Sequence, residues 1–219
     1  MISDLTISLV AAVLGWLLGV PLWLATGQLG NGRSSEELPK GFRILAADPP
    51  LQAFQALTLA AMALRFGPSL QLAIYGALSL VLTVIFFVDL RTRYVYGIVA
   101  YPGILAGVVL TPLVQPGAFW ESLASAALGA LVFGAFYLFG RLLYRGGVPL
   151  ASGDVIIGAL VGSIVGLGQL MPAIFLGVLF SGLFAVAFAL RRRSLRVYLP
   201  YGPGLCLGAL VALLVSGRT

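Results

Sequence analysis

Long apolar runs, interrupted by short segments that hold most of the charges, make up this 219-residue chain. Hydrophobic residues account for 60% of it and charged residues for only 9%, whereas a soluble domain carries roughly 25% charged residues. A helix that crosses a bilayer needs about 20 mostly apolar residues. We therefore predict an integral membrane protein with an all-α fold, a polytopic transmembrane helix bundle.

The apolar runs predict about eight transmembrane helices. Their approximate bounds are 5–27, 51–65, 69–89, 95–114, 121–143, 154–168, 171–190 and 203–216. We expect the sixth and seventh helices to separate at the turn that ends in Pro172, because proline interrupts a helix. The first run has no lysine or arginine before it and no convincing cleavage site, so we interpret it as a retained span rather than a signal peptide.

The basic residues predict the orientation of the bundle. With the N-terminus outside, all but two of the 13 basic residues, Arg65 and Arg218, fall in cytoplasmic loops, as the positive-inside rule requires. Topology and contact with anionic lipid then explain the net charge of +6 better than a nucleic-acid partner, which we do not expect. Arg91 and Arg93 are interpreted as anchors at the membrane interface. The oligomeric state stays open.

Missing residue types exclude several chemistries. The chain has no histidine, which removes Ser-His and Cys-His catalysis and most zinc and haem sites. Cys206 is the only cysteine, so neither an intrachain disulfide nor a paired-cysteine metal site can form. We expect no cofactor and no metal, and we interpret Cys206 as a small packing residue.

Two of the seven acidic residues stand at positions that indicate chemistry. Asp89 ends the third predicted helix in FFVDLRTRYV, and Asp154 begins the sixth in PLASGDVIIG, so both lie at the same cytoplasmic depth. Carboxylates in such places are costly to desolvate and suggest function. A structural explanation also exists: Asp89 can mark the water interface, and the helix dipole can favour Asp154, with Ser152 as a cap.

A pair of carboxyl groups can hydrolyse a peptide bond without metal, serine or histidine. Like charges held close together cannot both ionise, so the pair shares one proton and titrates as a unit. One group then activates water while the other protonates the scissile carbonyl. Gly153 has no side chain, so a substrate backbone or the partner aspartate can approach Asp154. The site requires the third and sixth helices to pack side by side.

Three Gly-x-x-x-Gly pairs predict close helix packing in the membrane. The pairs are Gly15 with Gly19, Gly158 with Gly162, and Gly204 with Gly208.

Three segments resemble the prepilin peptidases (type IV leader peptidases), a family of GxGD membrane aspartyl proteases. FFVDLRTRYVYGIVAYPGILAGVVL is similar to the family segment with the first aspartate, ASGDVIIGALVG to the segment with the second, and LPYGPGLCLGALVALL to the closing helix. The resemblance covers about residues 50–216. The chain departs from it at Ala151, where GxGD begins with glycine, at Ile156, where lysine is usual, and at Tyr96, where proline is usual.

The resemblance implies an aspartic endopeptidase that removes the short basic leader of type IV prepilins or related pseudopilins. Asp89 and Asp154 would be its catalytic residues, with Gly153 and Ser152 supporting the site. The enzyme would lie in the cell inner (cytoplasmic) membrane, with both aspartates facing the cytoplasm.

The same resemblance divides the chain into two parts. Residues 1–50 would hold the first helix and a shortened cytoplasmic loop, and residues 51–219 the peptidase domain. Many family members carry zinc-binding cysteine pairs in this loop, and here it has no cysteine. That absence puts in doubt the methyltransferase activity, which in the family uses S-adenosylmethionine.

Two other functions stay open from the residues alone. A transporter or proton relay would also use isolated membrane acids, although we expect its acids nearer the middle of the bilayer. An inactive scaffold of pilus assembly would better tolerate the departures at positions 96, 151 and 156. Neither alternative explains the order of the aspartate segments and the closing YGP segment.

Overall fold

Helices form every regular element that the computed structural model describes, which covers residues 5–18, 49–115, 117, 119–143, 151–192 and 201–215. The α-helices in chain order are α1 Leu5–Leu18, α2 Pro49–Phe66, α3 Leu70–Thr92, α4 Gly97–Leu110, α5 Phe119–Leu143, α6 Ser152–Val165, α7 Leu167–Arg192 and α8 Gly202–Val215. A short 3₁₀ helix, Thr111–Leu113, follows α4 directly. The predicted all-α fold with about eight helices is confirmed.

Three helices are long and apolar enough to cross a membrane by length and composition, namely α3, α5 and α7. Large apolar side chains on the outer faces of α5 and α7 are exposed, among them Phe136, Leu142, Phe175 and Leu190. A soluble monomer rarely exposes apolar surface over such lengths, whereas a bilayer covers it. The chain is therefore a polytopic membrane bundle, as predicted, and its orientation stays a prediction.

Two of the three short helices, α6 and α8, lie in the interior of the bundle, whereas α4 exposes one face, with Ile98 and Leu105 on it. The helices α4, α6 and α8 have 14 residues each, whereas α3, α5 and α7 have 23, 25 and 26. Both α4 and α8 pack against α3 and against α6. Side chains from α3, α6 and α8, such as Leu82, Leu160 and Leu205, meet in the main apolar core. The helices α4 and α8 therefore connect α3 and α6, which carry the aspartates.

Glycines form a close helix contact between α5 and α6. A Cβ atom at Gly158 would lie 2.7 Å from the carbonyl oxygen of Gly129. One at Gly162 would lie 2.7 Å from the carbonyl carbon of Ser125. Because backbone atoms stand on the facing helix, a side chain at either position has no room.

A second glycine contact joins α7 and α8. A Cβ atom at Gly204 would lie 2.7 Å from the Gly177 carbonyl oxygen, and one at Gly208 would lie 2.6 Å from the Gly177 Cα. Both Gly-x-x-x-Gly pairs in this half of the chain therefore make the close packing that was predicted. Gly15 likewise faces the backbone of α2, whereas Gly19 lies outside the described residues.

The break between α6 and α7 lies earlier than the sequence predicted. Gly166 separates the two helices with a φ of 72°, a left-handed conformation that glycine adopts without strain. Pro172 lies inside α7. It is the sixth residue of that helix, so its missing N–H leaves the carbonyl of Gly168 without its usual partner, yet the helix continues through it. The predicted break at Pro172 was therefore wrong.

The C-terminal end of α6 is held by side chains rather than by continued helix. Its last carbonyl groups accept hydrogen bonds from the ends of neighbouring elements. These bonds run from Ser122 Oγ to Ser163 O (3.2 Å), from Thr111 Oγ1 to Ile164 O (3.4 Å) and from Gln115 Nε2 to Val165 O (3.2 Å). A helix end away from water needs such partners, so this end of α6 is fixed within the bundle.

Candidate active site

Asp89 lies in the last turn of α3, with only 5% of its surface exposed. The helix ends at Thr92, and the N–H of Arg93 donates to the main-chain oxygen of Asp89 at 2.8 Å. The carboxylate accepts a hydrogen bond from the backbone N–H of Gly202. Gly202 is the first residue of α8, so its N–H has no partner inside that helix and is free to donate.

Asp154 is the third residue of α6, and 6% of its surface is exposed. Its Oδ2 accepts a hydrogen bond from the N–H of Ala151 at 2.9 Å. This is the acidic half of a capping box, and it fixes one carboxylate oxygen while leaving Oδ1 for other partners. A carboxylate in the first helical turn is also favoured by the helix dipole.

Ala151, not Ser152, is the N-cap of α6. Ala151 has φ −87° and ψ 155°, the extended conformation that a cap requires, whereas Ser152 is already helical and its side chain is exposed. The predicted capping role of Ser152 was wrong for this reason. The same dihedral angles suit any L-residue, so alanine can occupy the position where the GxGD pattern has its first glycine.

The structure brings Asp89 and Asp154 together. Their carboxylates are close enough to interact electrostatically, and both line one cavity of about 150 Å³. The cavity lies where α3 ends and where α6 and α8 begin. Its lining residues are Asp89, Arg93, Tyr94, Val95, Ala151, Ser152, Gly153, Asp154, Ile156 and Tyr201.

The helices α3 and α6, which carry the two aspartates, do not pack directly against each other. They are joined through α8 and α4, which corrects the expectation of side-by-side packing. A Cβ atom at Gly202 would lie 2.6 Å from Ile157 Cδ1 of α6 and would also collide with Asp89 Oδ2 of α3. Gly103 of α4 occupies an equivalent place between Val81 and Leu160. Glycines on the intervening helices therefore determine how closely α3 and α6 approach.

Gly153 makes room for Val95 rather than for the other aspartate. A Cβ atom at Gly153 would lie 2.8 Å from Val95 Cγ2 and 3.1 Å from Val95 Cβ. Val95 belongs to the short connection between α3 and α4, which passes over the start of α6. The absence of a side chain at Gly153 thus allows the segment after Asp89 to reach the segment before Asp154.

Several residues of the site were not predicted from sequence. They are Tyr94, Val95, Ile156, Tyr201 and Gly202. The closing YGP segment contains Tyr201 and Gly202, so the signal was present, but nothing in the sequence alone places that segment beside Asp89. Arg93 was assigned to the membrane interface, and the structure shows that it also lines the cavity.

The site has the groups for acid–base chemistry on water. Two buried carboxyl groups face a cavity large enough for water molecules, and each accepts one backbone N–H that fixes its orientation. Within the described ranges, no group of three or more potential metal ligands is present. Arg93 is the only basic residue among the described residues that line the cavity. Position 156, where lysine was expected from the resemblance, is isoleucine.

Comparison with known proteins identifies the family. The type IV leader peptidase family matches residues 76–186, just over half of the chain and a range that contains both aspartates. The prepilin leader peptidase/N-methyltransferase of Bacillus subtilis (strain 168) is 29% identical over 180 residues, which cover 80% of this chain and 68% of that protein. No solved structure gives a significant match. This chain therefore belongs to the type IV leader peptidase family.

Proposed function

We propose that this membrane peptidase is an aspartyl endopeptidase that removes the basic leader of type IV prepilins or related pseudopilins. The observation that carries the proposal is the meeting of Asp89 and Asp154 in one cavity, both buried and in electrostatic contact. The name of the Bacillus relative supports the substrate class.

The two carboxyl groups would act as one acid and one base. The ionised group takes a proton from a water molecule held between them, and the resulting hydroxide attacks the scissile carbonyl carbon. The protonated group donates its proton to the carbonyl oxygen, which gives a tetrahedral gem-diol. Proton transfer to the leaving nitrogen then breaks the C–N bond. Either aspartate can begin as the base, since each accepts one backbone hydrogen bond.

We place the site at the cytoplasmic face of the inner membrane, in a bundle whose N-terminus is outside. The basic residues support this orientation, because Arg91, Arg93 and Arg141 all lie at the helix ends nearest the cavity. A leader with positive charges would remain on that side, where the cavity opens. Membrane lipid is the other expected partner.

Gly153 and Ser152 would support the site rather than react. Gly153 admits Val95, and Ser152 begins α6 at the cavity wall. The assignment of residues 51–219 to the peptidase domain belongs to the same proposal. Most of residues 1–50, including the cytoplasmic loop, lies outside the described residues. Methyl transfer is not part of the proposal, since the sequence has no cysteine pair.

Cleavage of a defined substrate tests the proposal. Purified protein in lipid nanodiscs is mixed with a prepilin that carries a basic leader and a Gly-Phe junction, and mass spectrometry locates the cut and detects any methyl group on the new N-terminus. Asp89→Asn and Asp154→Asn should each lower the rate by a factor of about 10³, because removal of a general acid or base has this effect.

Controls separate catalysis from folding. Both asparagine variants are close in size to aspartate and should keep the unfolding temperature of the wild type within a few degrees. If several prepilins remain intact with the wild-type protein, or if either variant cleaves as fast as the wild type, the aspartyl mechanism is wrong. Proton transport would then be measured in proteoliposomes.

A further inference from the structure

A buried hydroxyl group lies on α7, the most apolar of the three long helices. Ser181 is the only serine or threonine in that helix, and 4% of its surface is exposed. Its Oγ donates to the carbonyl oxygen of Gly177 at 2.8 Å, the usual bond of a serine to its own helix. The same Oγ also donates to the carbonyl oxygen of Tyr201 at 3.1 Å, so the hydroxyl links α7 to the start of α8.

The carbonyl that Ser181 binds belongs to the peptide group that holds Asp89. The C=O of Tyr201 and the N–H of Gly202 are two ends of one planar peptide group, and in the trans form they point in opposite directions. The Gly202 N–H donates to the Asp89 carboxylate. Within α8, the N–H of Leu205 donates to the Tyr201 oxygen at 3.1 Å. Ser181 therefore adds a second hydrogen bond to this peptide group, from outside the helix.

Helix packing explains the size of Ser181 but not its hydroxyl. Ser181 faces Gly204, where an added Cβ atom would lie 2.6 Å from the Ser181 nitrogen. Such a close contact requires a small residue at position 181, and alanine meets that requirement as well as serine does. A buried hydroxyl is costly unless it is hydrogen-bonded, so its bond to the neighbouring helix indicates a purpose beyond packing.

We propose that Ser181 is a positioning residue, which holds the Asp89 carboxylate in its place through the peptide group between Tyr201 and Gly202. This inference rests on the proposed function of the aspartate pair. Ser181 is not among the described residues that line the cavity, so it acts on the site geometry and not on the substrate. A hydrogen bond to the C=O end also polarises the peptide group and strengthens its N–H as a donor.

Selective isotope labelling observes this peptide group directly. Protein in lipid nanodiscs carries ¹³C at the tyrosine carbonyl and ¹⁵N in glycine, and an NMR experiment selects amides in which the two isotopes are bonded. Only the three Tyr-Gly pairs of the sequence then give a signal, at 75–76, 96–97 and 201–202. Tyr201→Phe removes one signal and assigns it to Gly202, because phenylalanine carries no label.

Ser181→Ala should move the amide proton signal of Gly202 upfield, because a weaker hydrogen bond deshields the proton less. The signals of Gly76 and Gly97 should stay in place. Asp89→Asn should move the same Gly202 signal, since it removes the charged acceptor at the other end. A shift in both variants would show that Ser181 and Asp89 act on one peptide group.

Kinetics test whether this coupling matters for cleavage. Ser181→Ala should lower kcat by about five- to tenfold, the rate equivalent of one neutral hydrogen bond. KM should stay unchanged, because Ser181 lies outside the cavity wall. The unfolding temperature should stay within a few degrees of the wild type, since alanine fits the same space.

Ser163→Ala is the matched control. Ser163 is also a buried serine in a helix, its Oγ donates to the carbonyl oxygen of Leu160 at 2.8 Å in that helix, and it faces Gly107 of α4. It lies at the end of α6 away from Asp154. The control variant should keep both the wild-type kcat and the position of the Gly202 signal.

Each outcome decides a different point. An unchanged Gly202 signal or an unchanged kcat in Ser181→Ala overturns the inference. An equal fall of kcat in Ser163→Ala assigns the effect to the loss of any buried hydroxyl and also overturns it. A wild-type protein that cleaves no prepilin overturns the proposed function itself, whereas the Gly202 signal still shows whether Ser181 and Asp89 are coupled.

Discussion

At the residue scale, missing side chains shape the site as much as the two carboxylates do. Gly202 brings its N–H to Asp89, and Gly153 lets Val95 lie over the start of α6. Each glycine has a specific neighbour that a methyl group would displace. The site geometry thus depends on positions where the chain has no side chain at all.

Replacement of Gly202 by alanine should slow cleavage by about a hundredfold without unfolding the protein. The new methyl group would meet Asp89 Oδ2 and Ile157 Cδ1, so the Asp89 carboxylate must move away from its partner. A displacement of about 1 Å in a catalytic group lowers rates by about a hundredfold. Single-turnover cleavage measures the effect, and thermal unfolding checks the fold. A Gly202→Ala enzyme with normal kcat would show that Asp89 tolerates the shift.

Replacement of Gly153 by alanine should slow cleavage and destabilise the protein by about 1–3 kcal/mol, the usual effect of overpacking. The methyl group would lie 2.8 Å from Val95 Cγ2. Val95→Ala in the same chain should restore most of the rate and stability, because neighbouring changes are not additive. Gly182→Ala is the control, since a Cβ atom there would meet nothing within 4 Å. Additive losses in the double variant would contradict this account.

At the element scale, close glycine contacts with α5 determine the position of α6, the helix that carries Asp154. Gly158 and Gly162 fit against the backbone of α5, and the carbonyl groups at the far end of α6 are held by Ser122, Thr111 and Gln115. Because α6 is fixed along its side and at its far end, its first turn presents Asp154 in one position.

Gly162→Ala should lower stability by about 1–3 kcal/mol. The facing atoms are backbone atoms of Ser125 and Ala126, which cannot move aside as a flexible side chain does. Unfolding in a mixed-micelle titration with SDS measures the loss, with Gly182→Ala again as the reference. An unchanged midpoint would mean that α5 and α6 separate more easily than their contact suggests.

The sequence predicted elements better than it predicted contacts. Apolar runs located the helices, and the scarcity of acids pointed to Asp89 and Asp154, because a carboxylate in a membrane protein is rare enough to be informative. The break at Gly166 was missed because proline is the stronger local signal, although α7 continues through Pro172 at the cost of one backbone hydrogen bond. Gly202, Val95 and the place of Arg93 in the cavity wall were missed because their roles depend on how α8 and the α3–α4 connection pack.

At the scale of the whole molecule, orientation is the prediction with the broadest consequences. Cysteines introduced at Ser69 and at Tyr94 mark the two ends of α3, and both positions are exposed. The native Cys206 is buried and should not react. In intact cells, a membrane-impermeant maleimide should label Ser69→Cys at once and Tyr94→Cys only after the membrane is permeabilised. The reverse pattern would place the cavity outside and exclude a cytoplasmic peptidase.

The short helices that begin at the site have a consequence for the water that hydrolysis needs. Both α6 and α8 have 14 residues and are about 21 Å long, whereas the hydrocarbon layer is about 30 Å thick. Protein rather than lipid surrounds most of both helices, so their shortness does not require the bilayer to thin. The cavity at their N-terminal ends would instead hold water at a depth where the longer helices α5 and α7 still contact lipid.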